Sequence, residues 1–280
     1  MISNTWMSNF GNNMFQWAVS YAVSKKTGFE LFNSDWGGAS NDSTPSGNGI
    51  EIFNLPPKTQ TSNVCHHCFM DSSCAEQTFN PEIFNVADNT LLEGYFQTDK
   101  YFIDCRDDIL DFFAFKDKTI DERAINFLKS FDKKAVICAH SREGDYLAGD
   151  GFPIPNDWYF KRAVDKILEI NNLSKEDVGI AFISDNKDSD RANKLIDEGF
   201  NVKVSPFGVE EKLLDLSIMK NAHHCITAAS SFSWWGAWLN RNLPTIISPM
   251  YWFNYHKNTT VWSPRDIAMS IPNQYFLANE

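Results

Sequence analysis

Apolar positions follow two regimes along the chain. From residue 135 onward, short continuous apolar runs alternate with stretches of helical period. Residues 135–139 read as a short buried strand, and 179–184, 202–204, 225–228 and 245–248 as further strands. Between the first two, Phe160, Ala163, Val164, Ile167 and Leu168 put one apolar stripe on a helix. Residues 192–198, 211–221 and 233–240 read as further helices. Strands alternating with helices predict a parallel, doubly wound sheet.

The first half is less regular. Phe15, Ala18, Val19 and Ala22 predict a helix over 14–25, which Gly28 ends, and 29–32 reads as a short strand. Residues 34–49, rich in Ser, Gly, Asn and Asp, read as a loop. Residues 50–110 have no clear period beyond a strand near 91–96. Thr119 and Glu122 have capping-box spacing ahead of an apolar-periodic run through Leu128. The expected division is a first α/β domain over 1–132 and a Rossmann-like domain over 133–280.

Composition narrows the class. The chain has 280 residues, of which 43% are hydrophobic, so it can build buried cores. Its formal net charge of -11 opposes nonspecific nucleic-acid binding. An anionic ligand would need local devices such as an arginine or a helix N-terminus. No apolar signal core and no membrane-length apolar run is visible, so a cytoplasmic protein without an integral membrane segment is expected. Its six cysteines then read as reduced thiols.

Three segments carry chemistry. His140-Ser141-Arg142-Glu143-Gly144-Asp145-Tyr146 follows a predicted strand directly. Ligands of open α/β sheets bind outside the carboxyl ends of strands, and Arg142 offers a planar fork suited to phosphate. A strand-end turn with a surface ion pair explains the same residues equally well. The second segment, Thr227 to Trp238, runs from a strand through Ala229, Ser230, Ser231 and Phe232 into a helix. Free amides there suit an anion, although simple capping by Ser230 or Ser231 is the plainer reading. Trp234, Trp235 and Trp238 read as core packing between domains. In the third segment, Gly11-Asn12-Asn13 reads as a loop opening the helix with Met14-Phe15-Gln16-Trp17.

Taken together and in this order, the segments resemble glycosyltransferase family 11, the α-1,2-fucosyltransferases. GNNMFQWA at 11–18 resembles the family's G-N-Q-M-F-Q-Y-A. HSREGDY at 140–146 resembles H-x-R-R-G-D-Y, and ASSFSWWGA at 229–237 resembles N-S-S-F-S-W-W-A/G-A. Smaller echoes are Gly94-Tyr95-Phe96-Gln97 and Ile183-Ser184-Asp185. The chain departs from the pattern at Asn13, Trp17, Glu143, Asn186 and Ala229. Glu143 replaces a second arginine, and Ala229 an asparagine whose return would be expected to raise donor affinity or turnover.

The resemblance implies a GT-B-like α/β fold of two Rossmann-like domains with the donor site in the cleft. It implies inverting, metal-independent transfer of fucose from GDP-fucose to a galactose hydroxyl of a glycan acceptor in α-1,2 linkage, with no cofactor. Residues 1–132 would then face the acceptor and 133–280 would hold the nucleotide sugar. Gly11, Asn12, Asn13, Arg142, Asp185, Ser230, Ser231 and Phe232 would bind the donor. Arg142, Asp145 and His140 would form the catalytic group. For the general base, Asp145, Asp150 and Glu143 all stay open. Asp188-Ser189-Asp190 spells D-x-D but reads as charge at a helix start. Cys65-His66-His67-Cys68 with Cys74 has zinc-ligand spacing but no second C-x-x-C pair, so ordinary thiols or a local disulfide are the default. His223 and His224 read as helix-end residues. Two alternatives remain: a degenerate sugar- or nucleotide-binding module, and a transferase using a different GDP-hexose.

Overall fold

The computed structural model describes residues 1–36, 49–60, 65–71, 79–147, 154–186, 188–205, 211–252 and 269–278; of Asp145 and Leu147 only the backbone is described. Most of the predicted loop at 34–49, Cys74 and Asp150 lie outside the described residues. The chain forms two compact units, Met1–Asp117 with Arg265–Ser270, and Lys118–Pro264 with Ile271–Glu280.

The first unit has a three-stranded parallel sheet of order β1-β3-β2, from β1 (Ile2–Asn4), β2 (His67–Met70) and β3 (Thr90–Glu93). The stretch predicted as a strand at 29–32 makes only an isolated bridge, Ile2 to Leu31. Helix α1 (Phe10–Thr27) starts four residues earlier than predicted, because the Asn9 carbonyl already accepts from the N–H groups of Asn12 and Asn13. Gly28, with φ of 78°, closes it in the left-handed conformation that glycine adopts freely. Trp17, Phe53, Phe113 and Phe115 are buried around it. Short helices α2 (Gly49–Ile52) and α3 (Arg106–Phe112) complete the unit.

The second unit opens with α4 (Thr119–Lys129), which packs on α8 (Lys212–Asn221). That packing assigns α4 to this unit, whereas the expected division at residue 132 lies after it. The predicted capping box does not form. Lys118 is the N-cap, in helical conformation and without a side-chain cap. Asp121 is instead held by Ser217 and Lys220 of α8.

Six parallel strands follow: β4 (Ala135–Ser141), β5 (Val178–Ser184), β6 (Asn201–Val204), β7 (His224–Ile226), β8 (Thr245–Pro249) and β9 (Gln274–Leu277). Their order is β6-β5-β4-β7-β8-β9, the doubly wound order of a Rossmann fold. Helices α5 (Gly144–Leu147), α6 (Asp157–Asn171), α7 (Asp190–Asp197), α8 and α9 (Ser231–Trp238) connect them. One core cluster joins Ile137, Phe160, Ile167, Ile180, Phe182 and Leu195. The predicted apolar stripe of α6 supplies Phe160, Ala163, Val164 and Ile167 to it. His223 directly follows Ala222, the C-cap of α8, whereas His224 belongs to the next strand, β7. Their Nδ1 atoms accept from the N–H groups of Val136 and Thr245.

Candidate active site

The strand order of the second unit reverses between β4 and β7, its first and fourth strands in sequence. Ligands of doubly wound sheets bind at such a switch point, beyond the carboxyl ends of the strands. Both serine- and arginine-bearing segments leave the sheet there. His140 and Ser141 end β4, and Arg142 follows. Beyond β7 the chain passes through Thr227, Ala228 and Ala229 to Ser230, the N-cap of α9. The segments touch, because the Tyr146 hydroxyl donates to the Ala229 carbonyl at 3.0 Å. The rings of His140 and Phe232 lie 5.8 Å apart.

Arg142 Nη1 is 3.0 Å from Asp185 Oδ2, at the end of the neighbouring β5. The guanidinium also lies over the Tyr146 ring at 5.8 Å. Glu143 N–H donates to the other oxygen, Asp185 Oδ1, at 2.8 Å. Asp185 thus receives the turn at two points. Gly144 completes the fit, since a Cβ there would stand 2.7 Å from Asp185 Oδ2.

The His140 side chain is 5% exposed, and its Nδ1 has no hydrogen-bond partner among the described residues. Burial, reinforced by the Arg142 charge and only partly countered by Asp185, lowers its pKa to about 4. At neutral pH it is an uncharged imidazole.

The start of α9 is shaped by Ser233 rather than by its N-cap. Ser233 Oγ accepts from Ala228 N–H and lies within donating reach of the Ser230 carbonyl at 3.1 Å and the Ala228 carbonyl at 3.3 Å. Ser230 makes no side-chain capping bond, so the plain capping reading does not describe it. Ser231 and Phe232 are half-buried. Trp234, Trp235 and Trp238 are buried and pack on one another. Helix-start amides attract anions through their unsatisfied N–H groups.

Asp145 sits in α5, its side chain outside the described residues. Glu143 is 1% exposed, and its carboxylate accepts from Ser141, Ser189 and Asn186. These contacts leave it buried and fully engaged, so it is not placed to take a proton from a substrate hydroxyl. Ser189, the middle residue of the D-x-D tripeptide, is the N-cap of α7 and gives its hydroxyl to Glu143. Sequence reasoning missed this role because nothing local links residues 143 and 189.

In the first unit, Gly11, Asn12 and Asn13 lie in the first turn of α1 rather than in a loop. Asn12 Oδ1 accepts from Gln97 at 2.6 Å. Asn13 is buried, and its amide donates to the Met7 carbonyl and to Gln16. Gln16 in turn donates to the Gly94 carbonyl at 3.0 Å. The GNNMFQ and GYFQ segments thus brace each other.

The chain matches the model of glycosyl transferase family 11 over residues 73–263. It belongs to that family. An α-1,2-colitosyltransferase of Escherichia coli is 25% identical over 264 residues, covering 87% of this chain and 89% of the relative. The O-antigen biosynthesis glycosyltransferase WbnK of Escherichia coli is 26% identical over 288 residues, covering 87% and 92%. In fold, the transferase is similar to POFUT1 in complex with GDP, with a TM-score of 0.57 at 12% identity, covering 88% of this chain and 96% of that one. It is similar also to the NodZ α-1,6-fucosyltransferase soaked with GDP-fucose, with a TM-score of 0.53 at 15% identity, covering 85% and 91%. The fold is therefore the expected GT-B type, α/β with parallel sheets. No described helix of the transferase is long and apolar enough to cross a membrane.

Proposed function

We propose that this family 11 transferase moves fucose from GDP-fucose to a galactose hydroxyl of a glycan in α-1,2 linkage, with inversion and without a metal ion or cofactor. The observation that carries the reading is the convergence of Arg142 and the α9 start on the switch point of the Rossmann sheet. In this reading Arg142 and the amides and hydroxyls of Ser230, Ser231 and Phe232 bind the diphosphate. Charge grows on the leaving diphosphate as the anomeric carbon becomes oxocarbenium-like. A fixed cation and preorganised donors stabilise it there, each by on the order of 3 kcal/mol in other enzymes. Asp185 orients Arg142. Neutral His140 lines the same strand end, and Asp145 is the candidate base for the acceptor hydroxyl. Gly11, Asn12 and Asn13 supply the donor side of the first unit, Asn13 by holding the turn. The bound structures of NodZ and POFUT1, which carry GDP or GDP-fucose, support the choice of guanine nucleotide.

A second reading changes only the transferred sugar, to that of a different GDP-hexose. The colitosyltransferase relative favours it. Thermal shifts with GDP and UDP, followed by transfer from a panel of GDP-sugars, test both. Stabilisation by GDP and not by UDP is expected. Equal shifts with both nucleotides, or none, would contradict the donor class.

A further inference from the structure

Glu143 stands where the resembling family has a second arginine, and its surroundings give it a different task. The carboxylate is 1% exposed. Its Oε1 accepts from Ser141 Oγ at 2.8 Å and Ser189 Oγ at 2.6 Å. Its Oε2 accepts from Asn186 Nδ2 at 3.0 Å. Arg191 Nη1 lies 3.5 Å from Oε1, while Arg191 Nε donates to the Pro155 carbonyl at 2.7 Å. A carboxylate is held in the interior only where donors replace the water it has lost. Here three neutral donors and a guanidinium do so.

These donors come from separate places. Ser141 is the last residue of β4, Asn186 and Ser189 lie in the β5–α7 turn, and Arg191 is in the first turn of α7. One side chain therefore ties the β4 exit to the whole β5–α7 turn. The N–H of the same residue grips Asp185, where that turn begins, at 2.8 Å. Asp185 in turn pairs with Arg142 Nη1 at 3.0 Å. Asp185 thus draws the Arg142 guanidinium in one direction, and the buried carboxylate fixes the Glu143 backbone and the Asn186 side chain on either side of Asp185.

We propose that Glu143 is a positioning residue that fixes the direction of the Arg142 guanidinium by locking the β4–α5 turn onto the β5–α7 turn. The position that would carry a second cation instead holds the remaining one in place. This inference rests on the reading of Arg142 as the donor-phosphate clamp.

The test is a double-mutant cycle on GDP affinity, measured by calorimetry on the full chain, with melting curves for every variant. Glu143→Ala is expected to weaken GDP binding about tenfold, and to add nothing when Arg142→Ala is already present, because coupled residues are not additive. Glu143→Gln keeps acceptors for the serines and is expected to stay within about threefold of the parent. Full additivity in the cycle, or parental affinity in Glu143→Ala, overturns the proposal. Should the alanine variant fail to fold, Glu143→Asp decides. Its shorter reach is expected to weaken GDP binding only when Arg142 is present, and an unchanged affinity overturns the proposal. If Arg142→Ala itself leaves GDP affinity untouched, the clamp reading fails separately. The Arg142 Nε–H NMR signal of the folded Glu143 variant then decides positioning. A signal sharp in the parent and broadened in Glu143→Ala, or in Glu143→Asp where alanine does not fold, upholds it, and an unchanged signal refutes it.

Discussion

Arg142 and Asp185 face each other across the ends of β4 and β5, with Nη1 and Oδ2 3.0 Å apart. The pair leaves the guanidinium one-third exposed while Asp185 is largely covered. A guanidinium is a planar fork whose geometry suits phosphate oxygens. Replacing Arg142 by alanine should lower turnover about 10²-fold or more, as loss of one preorganised donor does elsewhere. Arg142→Lys should restore only part of this, since it keeps the charge and loses the fork. Steady-state kinetics with GDP-fucose check both, and near-parental rates in the alanine variant would put the clamp elsewhere.

The glycine beside this pair faces the Asp185 carboxylate. A Cβ on Gly144 would lie 2.7 Å from Asp185 Oδ2. Gly144→Ala should push Asp185 off Arg142 and weaken GDP binding by about tenfold, the range of one charge-assisted hydrogen bond. Calorimetric titration of this variant against the parent reads the effect directly; equal affinities would mean that the turn relaxes without moving Arg142.

Ala229 gives a prediction in which structure reverses the sequence reading. In the resembling family an asparagine stands there, and restoring it is expected from sequence to improve donor binding. Ala229 is 1% exposed, and its carbonyl already accepts from Tyr146. An asparagine would have to enter packed space, which typically costs 1–3 kcal/mol. Ala229→Asn should therefore melt earlier and lose turnover. A variant with parental melting and higher affinity would favour the sequence reading.

Three groups whose charged forms burial disfavours give the stability of the protein opposing pH slopes: His140 and His224, both lowered to about 4, against Asp215. Burial first of all lowers the His140 pKa from 6.5 to about 4. Its stabilising share is whole above 6.5 and is lost as pH falls towards 4, amounting to roughly 3 kcal/mol at most. Burial raises Asp215 from 3.8 to about 7, against the hydrogen bond from Ser205. The folded state then retains a proton that the unfolded state releases, so stability is lost as pH rises from 3.8 towards 7. Asp215→Asn should leave stability rising with pH between about 4 and 6.5. His140→Asn should leave it nearly flat over about 4 to 6.5, where His224, also lowered by burial to about 4, opposes Asp215. Urea unfolding midpoints across this range measure both, and identical slopes in the two variants would refute the assignment.

The second unit was largely legible in the sequence because β4, β5 and β8 are mostly apolar runs and α6 carries one apolar stripe. The residues 135–139 and 179–184 appear as β4 and β5, with the arginine segment at a strand exit where the pattern put it. The first unit was not, because its strands are three or four residues long. Ile2–Asn4 is too short to show a period, and 29–32 holds on through one bridge. β9, Gln274–Leu277, also escaped, being partly polar and half-buried. Within the site, the linear motifs were readable and their partners were not. Glu143 looked like a missing cation or a candidate base because, beside Ser141, its donors Asn186 and Ser189 lie more than 40 residues away.

The central claim is a metal-free transfer from a GDP-sugar, and one measurement bears on it most directly. The purified protein is incubated with GDP-fucose and methyl β-galactoside in excess EDTA, and the product is identified by NMR. The account predicts an α-1,2-linked fucosyl galactoside, formed at the same rate with and without chelator. No transfer from GDP-fucose, or transfer that stops in EDTA and returns with Mg²⁺ or Mn²⁺, would contradict it.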